Sequence, residues 1–283
     1  MQLRQPDAIM QESSANNDTK KATMIKIAFF DIDGTLFSFK THGMPQSTID
    51  ALHALQRGGV KVFVASGRER ALIDRSVFSW FDGFLTANGS ECFTADGTEI
   101  YKKGIPRQDL QRIVAFQNEN PTPFIYFYED ECFITSENDR VRQVAEMLNI
   151  KEMPVKPASE ALKHDIVQAI GYFTEEEAEK WGIFTHIAPS CKPLRWYPLF
   201  ADIVAKDNDK ASGIDHILNY YGMATDEAIA FGDGGNDIDM LRHAGIGVAM
   251  GNARPEVKAT ADYVTTSVDD DGIANALRHF SLI

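Results

Sequence analysis

Two carboxylates, Asp31 and Asp33, directly follow an apolar run and stand one residue apart. The run covers residues 25–30, and Gly34 and Thr35 come straight after the second carboxylate. Two like charges at this spacing repel each other unless a cation lies between them. The motif therefore indicates metal-assisted chemistry on an anionic substrate. Taken alone, it fits equally well an ordinary Asp-Gly turn that Asp33 opens.

Three further polar signals each follow an apolar segment of strand length. They are Ser66-Gly67-Arg68, Lys210 and Gly232-Asp233-Gly234-Gly235-Asn236-Asp237. Singly, Ser66 is most simply a helix cap and Lys210 a solvated surface lysine. The glycine-rich run favours a functional role even alone, because three glycines and two acids after a buried strand are costly for stability.

Strand-length apolar segments alternate with helical patterns over residues 24–89 and 198–283. This alternation predicts an α/β fold with a doubly wound parallel sheet, in which residues 25–30, 60–65, 200–205 and 228–232 are strands. Ligands bind at the carboxyl ends of such strands. The four signals should therefore face one edge, with the carboxylates of Asp31, Asp33, Asp233 and Asp237 in one pocket.

The middle of the chain has a different pattern and is predicted to be an inserted α+β domain. Its strand-length segments come in pairs joined by turns, and helical patterns lie between the pairs. The predicted organisation is a disordered leader at residues 1–23, a core formed by residues 24–89 and 198–283, and an insert at residues 90–197.

Four carboxylates in one pocket require compensating positive charge, which one divalent cation and one lysine would supply. Hard oxygen ligands without histidine or cysteine favour Mg²⁺ over zinc. The Ser66 hydroxyl and the amides of the glycine loop can donate hydrogen bonds to a phosphate. A carboxylate nucleophile, a second carboxylate for proton transfer, a metal and a lysine together make a phosphoryl-transfer site.

The order Asp-x-Asp-Gly-Thr, Ser, Lys, Gly-Asp-x-x-x-Asp resembles the haloacid dehalogenase superfamily, and the long insert resembles its C2 cap. Asn236-Asp237, Met240-Leu241 and the run from Gly247 to Ala253 resemble the Cof-type sugar-phosphate phosphatases. The resemblance implies a Mg²⁺-dependent phosphatase in which Asp31 forms an aspartyl-phosphate and Asp33 is the general acid and base.

The same resemblance implies the other site residues. The phosphate-binding group would be Thr35, Ser66, Gly67, Lys210 and Asn236. The metal group would be Asp31, Asp33 through its backbone carbonyl, Asp233 and Asp237, with Asp237 supporting the metal site or orienting Lys210. One departure is that Ala211, not glycine, follows Lys210, which leaves Lys206 as an alternative phosphate ligand.

Charge and composition limit the partners. The net charge of −13 and the lack of a Lys/Arg cluster argue against nucleic acid or an anionic membrane surface. The three cysteines are far apart and odd in number, which predicts no disulfide framework and fits a reducing cytoplasm. The resemblance implies a small phosphate ester as the partner, with hexose and other sugar phosphates foremost.

Two other functions fit the same motifs. A phosphomutase similar to phosphomannomutase needs arginines in the insert for a second phosphate, and the insert is poor in them. A phospho-ligand sensor would be expected to have lost Asp31 or Asp33, and both are present. Polar or aromatic residues of the insert are candidates to face a sugar, although most such residues belong to a domain's surface or interior. They are Tyr126, Tyr128, Glu129, Asn138 and Arg140.

Overall fold

The computed structural model describes residues 25–148, 153–195 and 197–283, and the predicted leader lies outside them. The strands, in chain order, are β1 (Ile27–Phe30), β2 (Lys61–Ala65), β3 (Gly83–Thr86), β4 (Glu91–Thr94), β5 (Glu99–Lys102), β6 (Phe124–Tyr128), β7 (Glu131–Ile134), β8 (Gln168–Gly171), β9 (Cys191–Leu194), β10 (Ala201–Ala205), β11 (Ala228–Gly232), β12 (Ile246–Ala249) and β13 (Tyr263–Val264). The helices are α1 (Gln46–Arg57), α2 (Arg107–Glu119), α3 (Asp139–Leu148), α4 (Glu175–Trp181), α5 (Lys210–Tyr221), α6 (Ile238–His243), α7 (Pro255–Lys258) and α8 (Gly272–His279).

The first sheet has the strand order β13-β12-β11-β1-β2-β3-β4-β5. The strands from β13 to β3 in this order are parallel, and β4 and β5 continue the sheet as an antiparallel hairpin. Leu52 of α1 and Leu277 of α8 cluster with Phe30 on one face, whereas Ile214 of α5 clusters with Phe29 on the other. Helices on both faces explain why the strands are continuous apolar runs. The predicted doubly wound α/β fold is confirmed.

The second sheet has the order β7-β6-β8-β10-β9, and all of its pairs are antiparallel. Leu110 of α2 and Ala178 of α4 cluster with Tyr126 on one face. Val144 of α3 clusters with Phe127 on the other face. This arrangement is the α+β architecture that the middle of the chain predicts.

The prediction that residues 200–205 form a strand of the parallel sheet is wrong. β10 pairs with β8 and β9 of the second sheet, and the β4–β5 hairpin pairs with β3 of the first. An apolar run looks the same in either sheet, because pairing partners distant in the chain decide where it lies. We therefore propose residues 103–206 as the cap and the other described residues as the core, in place of an insert at 90–197.

After β2 the chain forms two short 3₁₀ segments, Arg70–Leu72 and Arg75–Trp80. Ile73 and Asp74 between them have extended backbone angles. The Asp74 side chain accepts a hydrogen bond from the Ser76 amide, an Asx-type cap that competes with a continuous helix. Glu69, just before this segment, is therefore held in an extended stretch close to the end of β2.

Candidate active site

The carboxyl ends of the adjacent strands β1 and β11 bring the acidic side chains together. Asp31 directly follows β1, and Asp233 directly follows β11. Carboxylate oxygens of Asp31, Asp233 and Asp237 all lie within 4.8 Å of one another. Three of the four carboxylates expected in one pocket therefore lie together, whereas Asp33 lies outside this cluster because its carboxylate is paired with Arg68.

Lys210 is buried between two of these carboxylates. Its Nζ lies 2.6 Å from Asp31 Oδ1 and 2.5 Å from Asp237 Oδ1, and the residue is 1% exposed. Lys210 is the first residue of α5, and Asp209 caps this helix by accepting from the Ser212 amide. Lys206, in contrast, is exposed in the turn after β10. Lys210 reaches the site because α5 packs on the core, although β10 belongs to the cap sheet.

The charges of this cluster do not balance. Burial raises the pKa of the Asp31 carboxyl well above its usual value, and the Asp237 carboxylate adds to this effect against the attraction of Lys210. Burial and Asp237 raise the pKa of Asp233 to about 7. Burial alone would lower the pKa of Lys210, but the carboxylates of Asp237 and Asp31 outweigh it and raise the pKa. Three carboxylates around one ammonium favour a further cation.

Both oxygens of Asp237 are engaged. Oδ1 accepts from Lys210, and Oδ2 accepts from the backbone amides of Asp233 at 2.9 Å and Gly234 at 2.8 Å. Asp237 therefore contacts the glycine-rich loop and Lys210 at the same time.

The loop after β1 is fastened to Asp233. Gly34 has a φ of +84°, and a Cβ at this position would lie 2.3 Å from Asp233 Oδ2, so that only glycine fits. Thr35 Oγ1 donates to Asp233 Oδ1 at 3.3 Å. Asn252 Nδ2 donates to both the Gly34 carbonyl, at 2.9 Å, and Asp233 Oδ2, at 3.0 Å. Thr35, expected to bind phosphate, thus contacts a carboxylate that could hold a metal.

Asp33 forms a bidentate ion pair with Arg68. Arg68 Nε and Nη2 each donate to an Asp33 carboxylate oxygen at 2.7 Å. Both side chains are partly exposed, at 46% for Arg68 and 37% for Asp33. Arg68 belongs to the motif Ser66-Gly67-Arg68, but its role could not be predicted, because its partner lies far away in the chain.

Ser66 and Gly67 form a tight turn at the end of β2. Ser66 is buried, and its Oγ accepts from the Arg68 amide at 3.1 Å. A Cβ on Gly67 would lie 3.0 Å from Asn88 Oδ1 and 3.2 Å from Asn236 Nδ2. Asn236 Nδ2 donates to Asn88 Oδ1 at 3.2 Å. Sequence analysis did not find Asn88 or Asn252, although Asn252 falls within the run 247–253 that carries the resemblance.

A buried lysine between carboxylates at the carboxyl edge of a parallel sheet is typical of a phosphoryl-transfer site. Residues 28–277 match the haloacid dehalogenase-like hydrolase family, and the chain belongs to this family. It is a phosphoric monoester hydrolase of the haloacid dehalogenase type.

Individual relatives agree with this assignment. The chain is 32% identical over 263 residues to "Putative phosphatase YkrA" of Bacillus subtilis, with 91% of this chain and 98% of YkrA covered. It is 42% identical to the solved structure of BT4131, a HAD subclass IIB sugar phosphatase, at a TM-score of 0.81 over 91% of this chain and 100% of that one. The solved structure of the phosphatase BT1666 from Bacteroides thetaiotaomicron is 37% identical, at a TM-score of 0.84 over 92% of this chain and 96% of that one.

Proposed function

We propose that this protein is a Mg²⁺-dependent phosphatase of small sugar phosphates, which acts through an aspartyl-phosphate on Asp31. The observation that carries the proposal is the placement of Lys210 between Asp31 and Asp237, with Asp233 beside them. The lysine neutralises charge next to the attacking carboxylate and the transferred phosphoryl group.

The chemistry needs two carboxylates with different tasks. An oxygen of Asp31 attacks phosphorus while the ester P–O bond breaks, and Asp33 gives its proton to the leaving oxygen. A water molecule then attacks phosphorus, loses a proton to Asp33, and releases inorganic phosphate and free Asp31. Because Asp33 is paired with Arg68, it must turn away from that pair for both proton transfers.

The donors around Asp31 fit a magnesium ion. Asp31 and Asp233 provide hard carboxylate oxygens, and we assign the backbone carbonyl of Asp33 as a third protein ligand. When bound, the metal would neutralise charge on the phosphoryl oxygens. Because both oxygens of Asp237 accept hydrogen bonds, we assign it to positioning Lys210 and the loop. Because Thr35 Oγ1 donates to Asp233, we assign Thr35 to positioning that carboxylate. The phosphate-binding residues are then Ser66, Gly67, Lys210 and Asn236.

Sugar phosphates are the substrate class that we favour. The likeness to the sugar phosphatase BT4131 supports this choice. The earlier candidates in the cap are less suitable, because Tyr126 and Tyr128 are buried in the cap and Arg140 pairs with Glu177. Glu129 is exposed, and Asn138 accepts from the Val141 amide at the start of α3.

A phosphomutase is less well supported than a phosphatase. It would need free arginines in the cap for a second phosphate, yet each cap arginine has partners within the cap. These are Leu162 for Arg107, Asp109 for Arg112, Glu177 for Arg140, Asp139 for Arg142, and Phe173 and Phe200 for Arg195.

The cellular setting is also a proposal. Cys92, Cys132 and Cys191 are all free thiols, as is usual in a reducing cytoplasm. Among the described helices, none has the length and apolar content needed to cross a membrane.

A panel of phosphorylated metabolites and p-nitrophenyl phosphate, assayed with the purified protein and Mg²⁺, tests the function. We expect turnover that EDTA abolishes and Mg²⁺ restores, with a sugar phosphate as the best substrate. Ca²⁺ should inhibit, because its looser coordination misplaces the attacking carboxylate. Activity that survives exhaustive EDTA treatment would contradict the metal requirement. Lack of turnover on every phosphate ester would contradict the phosphatase function.

A further inference from the structure

A chain of side-chain amides crosses from the core to the cap beside the phosphate-binding turn. Asn236 Nδ2 donates to Asn88 Oδ1 at 3.2 Å, and Asn88 Nδ2 donates to Gln168 Oε1 at 3.4 Å. Gln168 Nε2 donates to Glu69 Oε1 at 2.5 Å. Every donor points the same way, from the catalytic loop toward a carboxylate. Gln168 lies in the cap and the other three residues in the core.

The chain is buried where it joins the two domains. Gln168 is 1% exposed, Asn88 2% and Glu69 3%. Buried polar groups are costly unless they are hydrogen-bonded, and a network in which each member is satisfied holds a single arrangement. Separating cap from core would break the bonds of Gln168 to both Asn88 and Glu69. This chain of four residues therefore favours one position of the cap.

Asn88 occupies a strained turn that touches several parts of the site. Ala87, Asn88 and Gly89 all have left-handed backbone angles, with φ of 49°, 53° and 89°. The Asn88 amide donates to the Ser66 carbonyl at 3.1 Å, and the Ala87 amide donates to the Arg68 carbonyl at 2.9 Å. Such strain in non-glycine residues persists only where the surrounding structure fixes it.

The same turn also touches the segment that carries the catalytic lysine. A Cβ on Gly89 would lie 2.1 Å from the carbonyl oxygen of Asp209, the residue before Lys210. A Cβ on Gly67 would meet both asparagine amides. A shift of Asn88 would therefore be transmitted to the phosphate-binding turn and to the start of α5.

We propose that Gln168 is a positioning residue, which acts through Asn88 to hold the phosphate-binding turn at 66–68 and the loop at 233–237 in their productive arrangement. The cap thus contributes to phosphoryl transfer itself, beyond excluding or admitting substrates. This inference rests on the proposed phosphatase function and adds a requirement for the seated cap to that same site.

The test compares Gln168→Leu with Gln117→Leu. Gln117 is a matched control, because it is also a buried cap glutamine, but the partners of its side chain, Thr122, Thr135 and Tyr126, all lie within the cap. We measure kcat and KM with p-nitrophenyl phosphate and with the best sugar phosphate. Hydrogen exchange of the 66–68, 87–89 and 233–237 amides, recorded without substrate, gives a readout that does not depend on turnover.

For Gln168→Leu we expect kcat to fall about tenfold on both substrates with KM little changed, as for the loss of one buried hydrogen-bond partner. Exchange in the three segments should accelerate. Gln117→Leu should lower the melting temperature without either effect.

A charge-swap pair separates positioning from general damage. Gln168→Glu alone removes the amide that donates to Glu69, puts two buried carboxyl groups side by side, and should lose activity. Adding Glu69→Gln restores a donor and an acceptor between these positions, so that the double variant should recover most of kcat.

The outcomes separate the two hypotheses. An inactive parent protein would contradict the phosphatase function. The hydrogen-exchange data would still show whether Gln168 holds the three segments in place. If the parent is active and Gln168→Leu leaves kcat and exchange unchanged, the positioning role is wrong. A rise in KM for the sugar phosphate alone would make Gln168 a substrate contact and would also overturn the proposal, as would failure of the double variant to recover activity.

Discussion

At the scale of single residues, the site depends on where charge is buried. Lys210 is enclosed by Asp31 and Asp237, and no solvent reaches its side chain. Lys206, only four positions earlier, is exposed. The sequence alone does not decide which of the two lysines binds phosphate, because the burial of a lysine here depends on how α5 packs and not on local spacing.

Substituting the two lysines tests this difference. Lys210→Ala should lower kcat by at least about 10²-fold, the usual cost of losing one oxyanion donor. It should also lower the melting temperature, because it leaves buried carboxylates without their partner. Lys206→Ala is the control and should stay within a few-fold of the parent in steady-state kinetics. The reverse ranking would make Lys206 the phosphate ligand.

Glu69 makes stability depend on pH. Burial raises the pKa of its carboxyl well above the usual value, and the Asp202 carboxylate adds to this, while Arg68 and Gln168 oppose it. At pH values between the pKa of Glu69 in the unfolded chain and its higher pKa in the native state, the native state keeps a proton that the unfolded chain has lost. The stability that the protonated Glu69 carboxyl contributes is therefore lost as pH rises through this range.

Glu69→Gln replaces the titratable carboxyl by an amide, whose oxygen can still accept the hydrogen bond from Gln168. We expect the variant to be more stable than the parent at pH 7, because a neutral amide does not have to be protonated on folding. The difference should shrink as pH falls below about 4, where the carboxyl also becomes protonated in the unfolded chain. Urea unfolding at the two pH values measures it, and a parent that is the more stable protein at pH 7 would contradict the assignment.

At the scale of elements, strand ends and turns place the site residues. The motifs at the ends of β1, β2 and β11 were predictable, because apolar runs followed by glycine and acid mark the carboxyl edge of a parallel sheet. Partners such as Arg68, Asn88 and Asn252 were not, since their contacts join positions 35, 148 and 218 residues apart in the chain. No local pattern encodes such pairings.

Asn252 shows what such a contact contributes. It joins the loop after β1 to Asp233, and its Oδ1 accepts from the Val268 amide at 3.0 Å. Asn252→Ala should weaken magnesium binding about tenfold or more, as for loss of an outer-shell partner. Titration calorimetry with Mg²⁺ measures this in the absence of substrate. Asn275→Ala is the control, because the half-buried Asn275 side chain in α8 donates to the Asp270 carbonyl and not to Asp233. Equal affinities for the two variants would refute the role.

At the scale of the whole molecule, the described residues form two sheets, one in the proposed core and one in the proposed cap. The α/β class and the presence of an α+β insert were predictable from the alternation of strand and helix patterns. The boundaries were not, because β4 and β5 join the core sheet and β10 joins the cap sheet through pairings between distant segments.

The proposed cap boundaries, residues 103–206, predict a separable core. The Asn208 side chain donates to the Lys103 carbonyl at 2.7 Å, so that the two ends of the cap meet. Replacing residues 105–206 by a short Gly/Ser linker should leave a cooperatively folded core, because its sheet is complete. Replacing 90–197 should not, since it removes β4 and β5 and leaves β10 unpaired.

Turnover by the shortened protein tests the tasks of the cap. Discrimination among sugar phosphates should collapse, and the remaining activity on p-nitrophenyl phosphate should be slow because Gln168 is lost. Thermal unfolding followed by circular dichroism checks the fold. An unchanged ranking of substrates would show that the core alone sets specificity.

The central claim is that Asp31 forms a covalent bond to the phosphoryl group, and trapping this bond is its most direct test. The protein is quenched in acid during turnover of its best substrate, and its peptides are analysed by mass spectrometry. We expect one added phosphoryl group on the peptide that contains Asp31, absent after hydroxylamine treatment and absent in Asp31→Asn, which should be inactive but folded. Steady turnover by Asp31→Asn, or a phosphoryl group on any other residue, would contradict the account.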